Sequence, residues 1–180
     1  MSSYSFRPIV RSDFAMLSGW LTQPHVARWW ANDASPEGVE ADYGPGIDGA
    51  EPCEVFIAHR DGSAIGLAQR LRLEAYPHYL REVEAIVPVP RATSSIDYLV
   101  GEPDHTQRGW GSEMVDAFTR RLWHDDAAAP AIIVPVHAEN RSSWRCLERA
   151  GYSRIATGLL EPDNPADHRG HYLYRIDRPR

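Results

Sequence analysis

Ile96-Asp-Tyr-Leu-Val-Gly-Glu-Pro-Asp-His-Thr-Gln-Arg-Gly-Trp-Gly-Ser112 is the stretch that decides the reading of this chain. Its start is a short, mostly apolar strand. A polar, turn-rich loop follows, and two glycines open a helix over Gly111–Trp123 with Met114, Val115, Phe118 and Leu122 on one face. A strand that feeds a glycine-rich helix start is an anion site, because the first-turn N–H groups lack intrahelical partners and lie at the positive end of the helix dipole. A dinucleotide fingerprint would need Gly-x-Gly-x-x-Gly directly after the strand and an acidic residue about 20 positions on. Only Gly109 and Gly111 are present, after a long loop. A nucleoside-triphosphate loop would need a lysine, and all nineteen basic residues are arginine. What remains is a diphosphate cradled by the amides of Arg108–Ser112, with the Arg108 side chain as a further contact.

Bulk properties narrow the function further. A chain of 180 residues is read as one domain, 1–180, large enough for a proper core. No apolar run approaches the roughly 20 residues that span a bilayer. The start, Met-Ser-Ser-Tyr-Ser-Phe-Arg, has neither a basic nor an apolar leader region, so the expectation is a cytoplasmic protein with no membrane partner. The net charge of −6 argues against nucleic acid and favours cationic ligands. Cys53 and Cys146 have no metal-type spacing and are expected as reduced, mostly buried thiols. No metal site is indicated, since His168 and His171 straddle a loop–strand junction at Gly170. The absence of lysine also excludes Schiff-base chemistry. No feature specifies an oligomeric state.

Outward from the glycine loop, Ser5–Val10 reads as a first strand, at an edge because of Pro8. Ser12 is expected to cap a helix whose apolar face is Phe14, Leu17, Trp20 and Leu21. Pro24 ends it, His25–Trp30 forms a second short helix, and Ser35-Pro36 starts a third that Tyr43-Gly44-Pro45-Gly46 stops. Strands 54–59 and 64–72 flank the hairpin signal Asp61-Gly62. Residues 73–94 read as an irregular loop. Ala131–Val136 is a strand, Asn140–Ala150 a helix closed by Gly151, and Tyr152–Thr157 and His171–Ile176 the last strands. The order predicts an α/β (α+β) mixed sheet without internal repeats. Between Asn32 and Gly62, Asp33, Glu37, Glu40, Asp42, Asp48, Glu51, Glu54 and Asp61 face a single Arg60. They form either a solvated surface or an acidic wall for a polycation.

Two segments carry a family resemblance. Thr106-Gln-Arg-Gly-Trp-Gly111 looks like a pyrophosphate loop of the form Arg/Gln-x-x-Gly-x-Gly/Ala. Asn140-Arg-Ser-Ser-Trp-Arg-Cys-Leu-Glu-Arg-Ala-Gly-Tyr152 looks like the Asn-led helix that follows it. Together, in this order and at this spacing, they resemble the GCN5-related N-acetyltransferase (GNAT) superfamily. Trp20-Leu-Thr-Gln-Pro-His-Val-Ala-Arg-Trp-Trp30, with Ile65–Gln69 and Ser95–Leu99, resembles the aminoglycoside 6′-N-acetyltransferases. Acyltransferases of siderophore synthesis share the outline of the tryptophan segment.

The resemblance implies a central twisted mixed sheet flanked by helices, with an acetyl-CoA cleft between splayed strands. It implies acetyl-CoA as donor, held by Leu99, Val100, Gln107, Arg108, Gly109, Trp110, Gly111, Ser112 and Asn140. It further implies direct transfer in a ternary complex to an amine acceptor bound by Trp29, Trp30, Gln69 and Asp97. The proposed acceptor is the aminoglycoside 6′-amine, a resistance-type activity. Asp97 is the candidate base on chemical grounds too, because an ammonium must lose a proton before it attacks. Two other readings stay open: a siderophore-type lysine or hydroxylamine acyltransferase, and a non-catalytic acyl-CoA-binding protein. Three positions depart from the family pattern: Leu147 replaces the general-acid tyrosine, Pro135 an acceptor-contacting aspartate, and Thr106 the Arg/Gln heading the phosphate loop.

Overall fold

The Ile96 strand lies at the centre of a seven-stranded sheet in a computed structural model that describes residues 2–162 and 164–179. In chain order the elements are β1 (Tyr4–Pro8), α1 (Phe14–Leu21), α2 (Pro24–Ala27), α3 (Pro36–Ile47), β2 (Glu54–Arg60), β3 (Ser63–Arg72), α4 (Pro77–Glu84), β4 (Ser94–Val100), α5 (Trp110–Asp125), β5 (Ala131–His137), α6 (Arg141–Arg149), β6 (Ser153–Leu159) and β7 (Gly170–Asp177). The strand order is β1-β2-β3-β4-β5-β7-β6, and every neighbouring pair is antiparallel except β4 with β5. The mixed α/β sheet expected from the sequence is therefore present. Among the described residues, no helix is long and apolar enough to cross a membrane.

Side-chain alternation along β4 sorts the two layers. Ile96, Tyr98 and Val100 join the core beneath α5 and α6, with Val115, Phe118, Leu147 and Tyr174. Leu99 turns to the opposite face and joins Leu17, Trp20, Val39, Ile57 and Leu67 beneath α1–α3. At the strand end, a Cβ on Gly101 would lie 2.3 Å from the Trp20 indole, so only glycine lets the chain pass this buried ring.

The parallel pair β4–β5 meets at one position, Ser94 opposite Ile132, and then parts. The Gly101 N–H donates to the Ile65 carbonyl at 2.9 Å and the Leu73 N–H to the Thr93 carbonyl at 3.1 Å. These two bonds fix the phase of the β3–β4 ladder: odd residues of β4 bond β3, and even residues turn toward the gap. The Ala138 N–H donates to the Gly170 carbonyl at 2.9 Å, which places the odd residues of β5 on the gap side by the same alternation. Pro135 is one of them. The opened edge is thus what allows a proline in the middle of a sheet.

Several local expectations need correcting. Ser12 does not cap α1. Residues Arg11–Asp13 form a 3₁₀ turn whose Asp13 carboxylate accepts the Val10 N–H at 2.9 Å and both Arg7 guanidinium nitrogens, at 2.6 and 2.7 Å. The second helix ends at Ala27, so Trp29 and Trp30 lie beyond it. Ser35 does cap α3, accepting the Gly38 N–H, but that helix runs through Pro45 to Ile47. A proline removes one rung of hydrogen bonding, and the buried Val39 and Tyr43 hold the last turns by packing. Residues 73–94 are irregular only from 85 to 93; the first half is a 3₁₀ turn and α4. Pro77 is the first residue of α4, where a missing N–H costs nothing, and Leu73, Val83 and Val87 bury against Ile133 and Leu173. Cys53 and Cys146 are free thiols but only half-buried.

Candidate active site

The parting of β4 from β5 opens a cleft of about 1530 Å³ that passes between the sheet's two layers. At one end is the start of α5. Gln107 and Gly109 both adopt positive φ, 58° and 83°, and the loop so formed leads into the free N–H groups of the first turn. No atom lies within 4 Å of a Cβ built on Gly109. Ser112 is buried, and its hydroxyl lies against the Cys146 thiol, a weak partner, with no other polar atom to bond among the described residues. Asn140 caps α6 by accepting the Ser143 N–H at 3.1 Å. Arg141, Arg145 and Arg149 also line the cleft, and among the described residues none of the three forms an ion pair. An open glycine turn, unused N–H groups, a buried hydroxyl whose one neighbour is a weakly bonding thiol, and a row of guanidinium groups fit the diphosphate and further phosphate of coenzyme A.

The opposite end is acidic. Asp42, Glu51, Asp97, Glu161 and Asp167 line it, together with Trp29, Trp30, Tyr43, Gln69 and Tyr76. Asp97 and Gln69 are register partners on β4 and β3, and the Gln69 side-chain amide donates to the Asp97 carboxylate at 3.1 Å. Trp29 packs on the His137 ring at 5.5 Å beneath the Arg28 guanidinium, 4.2 Å from the indole centre. Arg28 also pairs with Asp167 at 2.7 Å, which holds that carboxyl below the usual range and ties the segment after α2 to the loop between β6 and β7. Burial pushes the Cys53 thiol up to about 12, with the Asp97, Glu51 and Glu54 carboxylates adding to the shift. The Glu51 carboxylate accepts a hydrogen bond from the Tyr76 hydroxyl.

Between the ends, the strand edge supplies a donor. Val100, an even residue of β4, turns its N–H to the gap, while its carbonyl is engaged by the His25 ring at 2.9 Å. Leu99 turns its N–H to β3, so only Val100 offers the backbone donor expected of one or other of these residues. Trp20 holds the same strand end from below through an indole N–H donated to Glu102 at 3.1 Å. The tryptophan–histidine segment thus contributes supports of the cleft as well as its aromatic wall.

Of the residues singled out from sequence, Trp29, Trp30, Gln69, Asp97, Leu99, Val100, Gln107, Gly109, Gly111, Ser112 and Asn140 all line the cleft. Arg108 and Trp110 do not. The Trp110 ring is stacked on His105 at 4.7 Å and under the Arg60 guanidinium at 4.4 Å, and Arg108 is exposed, 5.7 Å from that ring. The arginines of α6 were missed, although their i, i+4, i+8 spacing marks one helical stripe. His137, Glu139 and His168 bring ligand-type atoms within 4.8 Å of one another. Both His137 nitrogens are nevertheless engaged, with the His168 carbonyl at 2.9 Å and the Glu139 N–H at 3.3 Å.

Comparison with known proteins bears on the same cleft. Aminoglycoside acetyltransferase AAC(6′)-Ib in complex with ribostamycin and coenzyme A is similar at 26% identity, with a TM-score of 0.83 over 98% of this chain and 94% of that one. The same protein with coenzyme A alone gives 24% identity and 0.83 over 98% and 95%. A ribosomal-protein-S5-alanine acetyltransferase from Vibrio fischeri shares the fold at 14% identity and 0.71, over 98% and 96%. No curated protein sequence is a significant match. A family model described as an acetyltransferase (GNAT) domain matches residues 10–159, from the end of β1 to the end of β6. The splayed strands, the glycine cradle and that match agree: the chain belongs to the GNAT family and is an N-acetyltransferase that takes acetyl-CoA as its acyl donor.

Proposed function

We propose that this chain, acting as one domain over residues 1–180, transfers the acetyl group of acetyl-CoA directly to the 6′-amine of an aminoglycoside. The observation that carries this reading is the polarity of the cleft, arginine-lined at the donor end and carboxylate-lined at the other. A polyamino sugar carries several ammonium groups, which Asp42, Glu51, Glu161 and Asp167 attract, while Trp29 and Trp30 offer flat apolar and cation-binding faces. The likeness to AAC(6′)-Ib with ribostamycin supports the same acceptor class. A cytoplasmic, resistance-type role follows from that acceptor.

Each step has a residue to perform it. Acetyl-CoA supplies an activated acyl group, its phosphates held by the amides from Gly109 to Ser112 and the α6 arginines. The acceptor ammonium gives a proton to Asp97, directly or through water, and Gln69 keeps that carboxylate oriented. The Val100 N–H meets the carbonyl oxygen as it gains negative charge.

Thiol release from acetyl-CoA with kanamycin, tobramycin and ribostamycin tests the acceptor. The expected result is turnover that saturates with each. Release with lysine or hydroxylamine substrates, and with none of the three aminoglycosides, would overturn the acceptor assignment.

A further inference from the structure

The reaction also has to expel a thiolate, and the position where the family places an acidic tyrosine holds Leu147, which is fully buried in the core. We propose that the proton for the departing sulfur comes instead from Tyr98, the residue next to Asp97 on β4.

Consecutive strand residues point to opposite faces. At this strand Asp97 faces the acidic, acceptor end, and Tyr98 faces the layer of α5 and α6, where the donor cradle lies. Tyr98 stands four residues past the last β4–β5 pair, so it projects along the opened edge and lines the cleft. Its hydroxyl meets the first turn of α6, where it donates to the Ser143 carbonyl at 2.9 Å and faces the Ser143 hydroxyl at 2.9 Å. Ser143 lies one turn before Leu147 on the same helix face, so the phenol enters the region that the leucine leaves without a proton donor.

Burial keeps the hydroxyl protonated by pushing Tyr98 well above the ordinary range for a phenol. The same burial raises the neighbouring Cys146 thiol, and desolvation acts in the same direction on a departing thiolate, favouring its protonation.

The balance is complete. The amine nitrogen bonds to the thioester carbonyl carbon, the carbon–sulfur bond breaks, and its electron pair stays on sulfur. The Tyr98 hydroxyl rotates its hydrogen from the Ser143 carbonyl to that sulfur and gives up the proton there. The phenolate left behind is stabilised by the Ser143 hydroxyl turning its hydrogen toward it, and by the N-terminal end of α6. Asp97 passes the ammonium's proton to solvent and then takes the second proton, which the nitrogen sheds as it becomes the amide. Water in the cleft relays that proton to Tyr98, so that of the two protons lost by nitrogen one ends in solvent and one restores the phenol. Asp97 and Tyr98 thus serve the two faces of one strand as base and acid.

The test compares two donors with the full chain: acetyl-CoA and its selenoester analogue, whose selenolate departs without protonation. With an amine that the wild type accepts, Tyr98→Phe is expected to lower kcat about 10- to 100-fold on acetyl-CoA. CoA binding stays within about twofold, and most of the loss disappears with the selenoester. Ser143→Ala keeps the ring and removes the facing hydroxyl, and it should lose about threefold on the thioester and nothing on the selenoester. Equal losses on both donors, or a Tyr98→Phe rate within about twofold of wild type, would overturn the proposal. The proposal rests on acetyl transfer but not on the choice of acceptor. The same donor comparison made on amine-free hydrolysis of the two esters separates its failure from failure of the aminoglycoside assignment.

Discussion

The two ends of the cleft are built by different means. The donor end is framed by backbone, with the α6 arginines added on one helical stripe: a left-handed turn at Gln107 and Gly109, the first turn of α5, and a strand edge whose N–H groups were freed by the parting of β4 from β5. Its supports are fully buried side chains such as Val115, Phe118 and Leu147. The acceptor end consists of side chains on separate, half-exposed segments, joined by contacts such as Arg28 with Asp167 and Asn32 with Asp42. On the proposed reading, backbone geometry meets what the family has in common, the coenzyme, and side chains on irregular segments meet what varies between enzymes of one fold, the acceptor. Opposite charge at the two ends would also sort a polyanionic coenzyme from an acceptor of the proposed polycationic class.

Substitutions can break this division. The largest expected effect is at its midpoint: Asp97→Asn should lower kcat/KM for the amine by about 10²- to 10⁴-fold with acetyl-CoA binding unchanged by calorimetry. Equal weakening of coenzyme binding would mean that the two ends are not separable. At the donor end, Arg145→Gln with Arg149→Gln should raise the KM for acetyl-CoA about tenfold and leave the acceptor KM alone. That difference should shrink in high salt. At the acceptor end, Asp42→Asn with Glu161→Gln should raise the amine KM about threefold, most for the acceptor with most amino groups.

The smallest effect is that of pH on the Arg28–Asp167 tie. Arg28 holds the Asp167 carboxyl below its ordinary value, so the tie is fully made above that ordinary value and is lost as pH falls through the lowered one. Acidification below about pH 4 should therefore loosen the loop between β6 and β7. Asp167→Asn should show the loosened loop at every pH, measured as faster proteolysis within 161–169 and an amine KM raised about twofold.

Both ends were legible in part: Trp29, Trp30, Gln69 and Asp97 at the acceptor end and the glycine turn with Asn140 at the donor end line the cleft, whereas Glu161, Asp167 and the α6 arginines carry no motif. Glycine spacing, an apolar strand and an asparagine-led helix are local patterns, and the structure keeps them at Gly109, Gly111 and Asn140. Arg108 and Trp110 sit inside the same motif but face away. Whether a residue of such a turn points into the cleft depends on the positive φ at Gln107 and Gly109 and on the His105 and Arg60 partners of the indole, and motif spacing carries neither. Asp97 and Gln69 lie 28 residues apart, and only the register of β3 on β4 sets their contact. Pro77 and Pro45 were read as breaks because a proline looks the same at a helix start, within a helix and in a loop until its missing N–H has been placed. Nothing local marks Tyr98, since its place on the cleft depends on β5 leaving its side.

That parting has one more consequence. Ladder pairing joins β1–β4 to β5–β7 at one register position, so the shared core beneath α5 and α6 is what otherwise holds these two units together. A ligand lodged in the gap bridges both units, so the coenzyme serves as a strut as well as a reagent. At coenzyme concentrations near 100 times its dissociation constant the strut contributes about 2.7 kcal/mol. Amide exchange at Tyr98 and Val100, rapid in the free protein, should then slow to the rate of the surrounding core.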